Sequence, residues 1–221
     1  MLQLKTHNLF NQLKEIIPDN ITIVEGGAFR GHETIAMAKA WPNSTIYTFE
    51  PVPELYKILQ DNTARFSNIH CFNLALSNQN GTAQFWPSEH PKKVGVHSQA
   101  GSLLAPKERL KWSNIKFKDP FEVGTITLNK WAKQQNINNI DFLWLDLQGY
   151  ELPVMQAAPE ILQQVKYLYT EVHFVEAYAD QKQHTEVIDW IEQQDFTMIG
   201  KDYLNTSSWF FGNVLFERNQ S

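Results

Sequence analysis

Two glutamates, Glu25 and Glu50, each close a short run of β-branched and aromatic residues, and the first opens onto Gly26-Gly27-Ala28-Phe29-Arg30-Gly31. A strand, a glycine turn and an apolar-periodic helix in that order form the usual cradle for a nucleotide-like cofactor. The residues of the turn narrow the ligand. A dinucleotide loop uses G-x-G-x-x-G so that backbone can close on a pyrophosphate at a helix N-terminus. Here the pattern is Glu25-x-Gly27-Ala28-x-x-Gly31, with Phe29 where the second close-approach glycine would fall. A carboxylate there repels phosphates but suits a ligand that carries an ammonium and a sulfonium. S-adenosylmethionine is such a ligand. Glu50, about twenty residues beyond Gly31, stands where an acid can accept from both ribose hydroxyls.

Further along, Asp146 ends the apolar run 142–145 and is followed by Leu147-Gln148-Gly149-Tyr150-Glu151. Open α/β sheets bind ligands at such carboxyl ends of strands. Glu151 opens a helix, where the dipole favours a carboxylate. In Tyr169-Thr170-Glu171-Val172-His173, Glu171 and His173 point to one face of an extended chain. His173, whose ordinary pKa lies near neutrality, is the candidate general base, with Asp146 and Glu171 beside it as catalytic residues. The expected cofactor set is Glu25, Gly26, Gly27, Ala28, Gly31, Glu50 and Pro51, with Ala75 and Leu76 against adenine and Asp146 nearby. Ser102, Gln148 and Glu151 are expected to face the acceptor or a lid over it.

The elements that must position these groups are legible as alternating patterns. A helix is expected over about 4–17, and strands near 21–26, 45–50, 69–74, 141–146, 165–173, 196–199 and 209–217. Helices separate most of them, which predicts an α/β fold with a mostly parallel, seven-stranded sheet. The last two strands have no helix between them and predict a terminal antiparallel hairpin, as in a Rossmann-like class I methyltransferase sheet. Residues 77–126 break the alternation. Asn78-Gln79-Asn80-Gly81 is a turn, 82–86 and 123–126 read as strands, and 87–121 collect Pro, Lys, Ser and His without periodicity. The whole of 1–221 reads as one domain carrying this insertion, with a lid in 87–121.

Composition excludes several classes. A net charge of −5 argues against a protein built to coat nucleic acid. Lys107, Arg109, Lys111, Lys116 and Lys118 form a local basic cluster that reads as a solvated loop face. No apolar run approaches the roughly 18 residues of a membrane span, and the N-terminus lacks a signal-peptide core. The one cysteine, Cys71, has no internal disulfide partner, so a reducing compartment, the cytoplasm, is expected.

Over about 21–216 the sequence resembles the FkbM family of S-adenosylmethionine-dependent methyltransferases. The resemblance rests on 24–31, Phe49-Glu50-Pro51, 73–77 with Gly81, Gly101-Ser102-Leu103, Ile126-Thr127-Leu128, 141–151 and Thr170-Glu171-Val172-His173. It implies methylation of a hydroxyl oxygen on a small-molecule or glycan acceptor, often a sugar or secondary metabolite. There are departures. The first acid, usually Asp, is Glu25. Where many relatives carry a lysine this chain has Leu145 or Trp144, and Gln148 replaces an acid before the glycine. Related sugar O-methyltransferases hold a divalent cation with strand-end acids. Asp146, Glu171 and His173 could serve here, but with Gln148 neutral no metal is expected. Two rivals stay open: an NAD(P)-dependent oxidoreductase, and a cofactor-binding module that has lost catalysis.

Overall fold

The computed structural model describes residues 1–93, 95–207 and 209–219. Val94 of the expected lid and Ser208 of the loop before the last strand therefore lie outside the described residues, as do Gln220 and Ser221 of the expected domain. The chain opens with a two-residue strand, β1 (Leu2–Gln3), a 3-10 turn at Thr6–Asn8 and helix α1 (Leu9–Lys14). Strict alternation follows through β2 (Thr22–Gly26), α2 (His32–Ala40), β3 (Thr45–Phe49), α3 (Pro53–Thr63) and β4 (Ile69–Phe72). The insertion contains β5 (Ala75–Leu76), β6 (Gly81–Phe85), β7 (Ser88–Glu89), α4 (Arg109–Trp112), β8 (Lys116–Phe117) and β9 (Phe121–Ile126). Alternation resumes with α5 (Leu128–Gln135), β10 (Ile140–Leu145), α6 (Glu151–Gln156), α7 (Pro159–Leu162), β11 (Val165–His173), α8 (His184–Glu192), β12 (Phe196–Lys201) and β13 (Phe211–Arg218).

The main sheet has the order β1-β12-β13-β11-β10-β2-β3-β4. All pairs are parallel except those of β13, which runs antiparallel to both β11 and β12. The seven expected strands and the terminal hairpin are thus present, and β1 adds an eighth at the edge. The N-terminal helix is correspondingly shorter than expected. Leu2 and Gln3 pair with Gly200 and Lys201, and the Leu4 N–H donates to the Lys201 carbonyl at 2.8 Å, so the first residues extend a sheet instead. The expected third strand, 69–74, ends early, at Phe72. β4 stays in the main sheet, while Ala75 and Leu76 leave it to pair with β9 beside β6 in a separate three-stranded sheet.

Both faces of the main sheet are covered, which is why β10 is apolar without alternation. Leu143 and Leu145 pack with Trp131, Val154 and Val172 on one face, whereas Phe142 and Trp144 pack with Leu13, Met37 and Trp41 on the other. Helix α1 therefore lies over the second face, near the strand ends. Among the described residues no helix is long and apolar enough to cross a membrane.

Candidate active site

A cavity of about 290 Å³ runs along the carboxyl ends of the strands, crossing the sheet from one side to the other. Its wall follows the strand order. Leu74 to Leu76 come after β4, Glu50 to Val52 after β3, Glu25, Gly27 and Phe29 from β2 and its turn, and Asp146 to Gln148 after β10. Glu171 of β11 and Phe211 and Asn213 of β13 close the far end, and Leu9 and Phe10 of α1 lie over it.

The turn after β2 is held by one carbonyl: the N–H groups of Gly27 and Ala28 both donate to Phe49 O, at 3.1 and 3.0 Å. Gly27 has φ +90°, and a Cβ there would lie 2.0 Å from the Asp146 carbonyl oxygen. Only glycine lets the β2 turn approach the end of β10 this closely. Gly31 is required for a different reason. It has φ +81°, and a Cβ would meet Leu59 of α3 at 2.6 Å. Gly31 does not line the cavity, and neither do Gly26, packed against Leu76, Leu145 and Leu147, nor buried Ala28. These three expected cofactor contacts shape the turn from behind.

Glu25 and Glu50 do face the cavity, and both are locked. Glu25 Oε2 accepts the hydroxyls of Thr34 and Thr48 at 2.5 and 2.6 Å, so Oε1 is the oxygen turned to the cavity. Glu50 Oε2 accepts from the Phe29 N–H at 2.9 Å and Oε1 from the Val52 N–H at 2.8 Å. Each oxygen keeps a second lone pair for a ligand. Burial raises the Glu25 pKa to about 7 and that of Glu50 to about 8, against the lowering effect of these hydrogen bonds. Such acids favour a ligand that supplies positive charge or hydroxyl donors. Pro51, Ala75 and Leu76 line the same half, with Val52 and Leu55 adding apolar surface for a flat base.

The other half is built on the turn after β10. Gln148 and Gly149 both have positive φ, +53° and +96°, which folds the chain back over the strand end. The Gln148 Nε2 donates to Asp146 Oδ1 at 2.8 Å and to Glu171 Oε2 at 3.0 Å. Burial raises the pKa of Asp146 and raises that of Glu171 well above its ordinary value, with the Asp146 charge adding to the Glu171 shift. Phe10, Trp144 and Tyr169 stack beside them, with ring centroids 5.9 and 4.2 Å apart, and all three line the cavity.

Three expectations for this half are corrected. His173 is not at the cavity. It is buried behind Glu171, 3.4 Å from Glu171 Oε2, yet among the described residues neither ring nitrogen makes a hydrogen bond. Burial, helped by the nearby Arg109 charge, lowers its pKa to about 3, so it is neutral and a poor proton acceptor. Glu151 does not line the cavity either: its Oε1 accepts from the N–H groups of Leu147 and Gly149, closing the turn at the start of α6. Ser102 is likewise buried and off the wall, its hydroxyl donating to the Gln148 carbonyl at 2.9 Å. A fourth correction concerns Arg109. It is not part of a solvated basic face but is buried at 8% exposure, where its charge lowers the pKa values of Asp146 and Glu171.

Carboxylate oxygens of Asp146, Glu151 and Glu171 lie within 4.8 Å of one another, a spacing a divalent cation could bridge. The chain meets those oxygens with its own donors, namely the Gln148 amide and the two turn N–H groups.

A profile of the FkbM methyltransferase domain matches residues 25–198, well over half of the chain. The chain belongs to the FkbM methyltransferase family. It is therefore an S-adenosylmethionine-dependent methyltransferase, and the oxidoreductase alternative falls away. The 2-O-methyltransferase NoeI of Sinorhizobium fredii is 28% identical over 187 residues, covering 84% of this chain and 76% of that protein. Solved structures share the fold. An rRNA methylase from Streptococcus thermophilus superposes with a TM-score of 0.56 at 14% identity, over 100% of this chain and 99% of that one. Magnesium protoporphyrin IX methyltransferase from Synechocystis PCC 6803, solved with bound S-adenosylmethionine, gives 0.54 at 10% identity, over 96% of this chain and 77% of that one. In this FkbM methyltransferase the residues facing the cavity fit the cofactor. Glu25 offers a carboxylate to an ammonium, Glu50 offers two oxygens to a diol, and Gly27 leaves open backbone between them.

Several residues that build the site had no signal in the sequence. Thr34 and Thr48 read as ordinary helix and strand positions, and Trp144 and Tyr169 as core.

Proposed function

We propose that this methyltransferase moves the methyl group of S-adenosylmethionine to a hydroxyl oxygen of a sugar or secondary-metabolite acceptor. The observation that carries this reading is the Asp146–Glu171 pair, side by side on the cavity wall just beyond Gly27. The hydroxyl oxygen attacks the methyl carbon in line with the departing sulfur. A C–O bond forms, the S–C bond breaks, and the hydroxyl proton passes to the Asp146–Glu171 pair. The products are a methyl ether and S-adenosylhomocysteine. An acid whose pKa is raised toward the working pH is a better proton acceptor than an ordinary carboxylate.

In this reading Glu25 and Gly27 hold the methionine end, Glu50 and Pro51 the ribose, and Ala75 and Leu76 the adenine. Phe10, Trp144, Tyr169 and Phe211 give flat apolar faces that suit a sugar ring. The name of the NoeI relative, a 2-O-methyltransferase, supports a 2-hydroxyl as the target. Residues 1–221 work as one domain, with the 77–126 insertion closing over the acceptor end. The overall negative charge argues against nucleic acid as the acceptor, and the lone thiol of Cys71 supports a cytoplasmic setting.

The test is transfer of labelled methyl from S-adenosylmethionine to a panel of methyl glycosides, each paired with its 2-deoxy counterpart. Transfer to a glycoside and not to its 2-deoxy partner supports the reading. Binding of S-adenosylhomocysteine without transfer across the panel would instead favour a module that has lost catalysis.

A further inference from the structure

One side chain links the acid pair to Tyr178. Gln148 gives both amide hydrogens to the acid pair, at 2.8 and 3.0 Å, and its Oε1 accepts the Tyr178 hydroxyl at 2.9 Å. That hydroxyl is also 2.8 Å from the Ala100 carbonyl, in the insertion. Two residues on, Ser102 donates to the Gln148 backbone carbonyl. The insertion is itself pinned at this point. Ser102 and Trp86 exchange backbone hydrogen bonds at 2.8 and 3.2 Å, and a Cβ on Gly101 would lie 2.7 Å from the Phe85 ring. Gln148 is thus held directly by Ser102 of the insertion and linked through Tyr178 to Ala100, while its amide faces two carboxylates.

We propose that Gln148 is the positioning residue of this site, orienting Asp146 and Glu171 and coupling their affinity for a proton to the seating of the insertion. The inference rests on the reading of that pair as proton acceptor. An amide fixed on its acceptor side by Tyr178 can point only its two N–H groups at the acids. Those donors favour the ionised carboxylates, against burial and mutual repulsion. The other charged or titratable groups facing the pair are few. Glu33 of α2 and Arg109 of α4 face Asp146, and Glu25 lies beside it. Glu151 of α6, Arg109 and Asp202 at the end of β12 face Glu171, with neutral His173 in contact behind it. Tyr169 and Tyr178 hold their protons, since burial raises both hydroxyls. Gln148 bonds to both carboxylates and also to Tyr178.

The prediction concerns proton affinity, so it needs no acceptor. Protein carrying carboxyl-¹³C aspartate and glutamate is titrated by NMR as wild type, Gln148→Leu and Tyr178→Phe. Thermal melting checks that each variant is folded. Gln148→Leu is expected to move the Asp146 and Glu171 titrations up by about one pH unit or more, from loss of hydrogen bonds to the charged form. Tyr178→Phe touches neither carboxylate, yet is expected to move both in the same direction by less. If both folded variants titrate as wild type does, Gln148 only packs and the proposal is overturned. If the titrations move as stated but wild type fails to bind S-adenosylhomocysteine, the cofactor reading fails and the positioning role stands.

Discussion

Cofactor binding should depend steeply on pH, because both acids offered to the ligand are buried. Glu25 ionises near pH 7 and Glu50 near pH 8 in the empty cavity. An ammonium beside Glu25 and ribose hydroxyls on Glu50 both favour the carboxylate, so binding pulls protons off and affinity must rise with pH. With those midpoints, and a ligand that binds only the doubly ionised form, that form is roughly 0.1% of the protein at pH 6 and roughly 5% at pH 7. The dissociation constant for S-adenosylhomocysteine should then fall by up to roughly 50-fold over that unit. Glu50→Gln removes one of the two titrations, and the remaining change should be roughly fivefold on top of a weaker baseline. The assay is calorimetry at pH 6, 6.5, 7 and 7.5, in buffers of different ionisation enthalpy, so that protons released are counted directly. A dissociation constant flat across this range, with no proton release, would refute the assignment of these acids to the ligand.

Four further outcomes follow from the same geometry. The empty protein should lose stability as pH rises from about 5 to 8. Glu25, Glu50 and Glu151 have folded pKa values raised above the ordinary 4.5, so their stabilising protons are lost through that window, and melting temperatures against pH would show it. Gly27→Ala should abolish cofactor binding, since its Cβ would sit 2.0 Å from a backbone oxygen, whereas Ala28→Gly should retain it; calorimetry separates the two. Glu171→Gln should lower turnover on an accepted glycoside by about 100-fold or more, while His173→Asn should lower it far less; steady-state rates with each folded variant decide this. Leu13→Ala, at a core side chain of α1 with 0% exposure, should cost about 2–5 kcal/mol of stability in a denaturant titration.

Much of the site could be read from the chain because an acid that ends an apolar strand is conspicuous. Glu25, Glu50 and Asp146 were visible that way, Glu171 by sharing a strand face with His173, and all four line the cavity. The glycines were visible too, but not their separate tasks: Gly27 serves a close approach to β10, and Gly31 serves packing on α3. His173 misled because its ordinary pKa suggests a base, whereas burial makes it neutral, and burial is a property of the fold. Gln148 looked like a weakened acid position. Its part depends on Tyr178, 30 residues away, and on Ser102, 46 residues away, contacts that no local pattern records. The eighth strand escaped because two residues cannot show a period, and Arg109 because one arginine among lysines looks solvated.

The central claim is that S-adenosylmethionine lies along the strand ends with its ribose on Glu50 and its methionine end on Glu25. A crystal structure with S-adenosylhomocysteine tests it most directly. The account predicts both ribose hydroxyls within hydrogen-bonding distance of the Glu50 carboxylate. It also predicts the amino group at Glu25 and the sulfur turned toward Asp146 and Glu171. A ligand bound elsewhere, or lying in the cavity with its ribose away from Glu50, would contradict it.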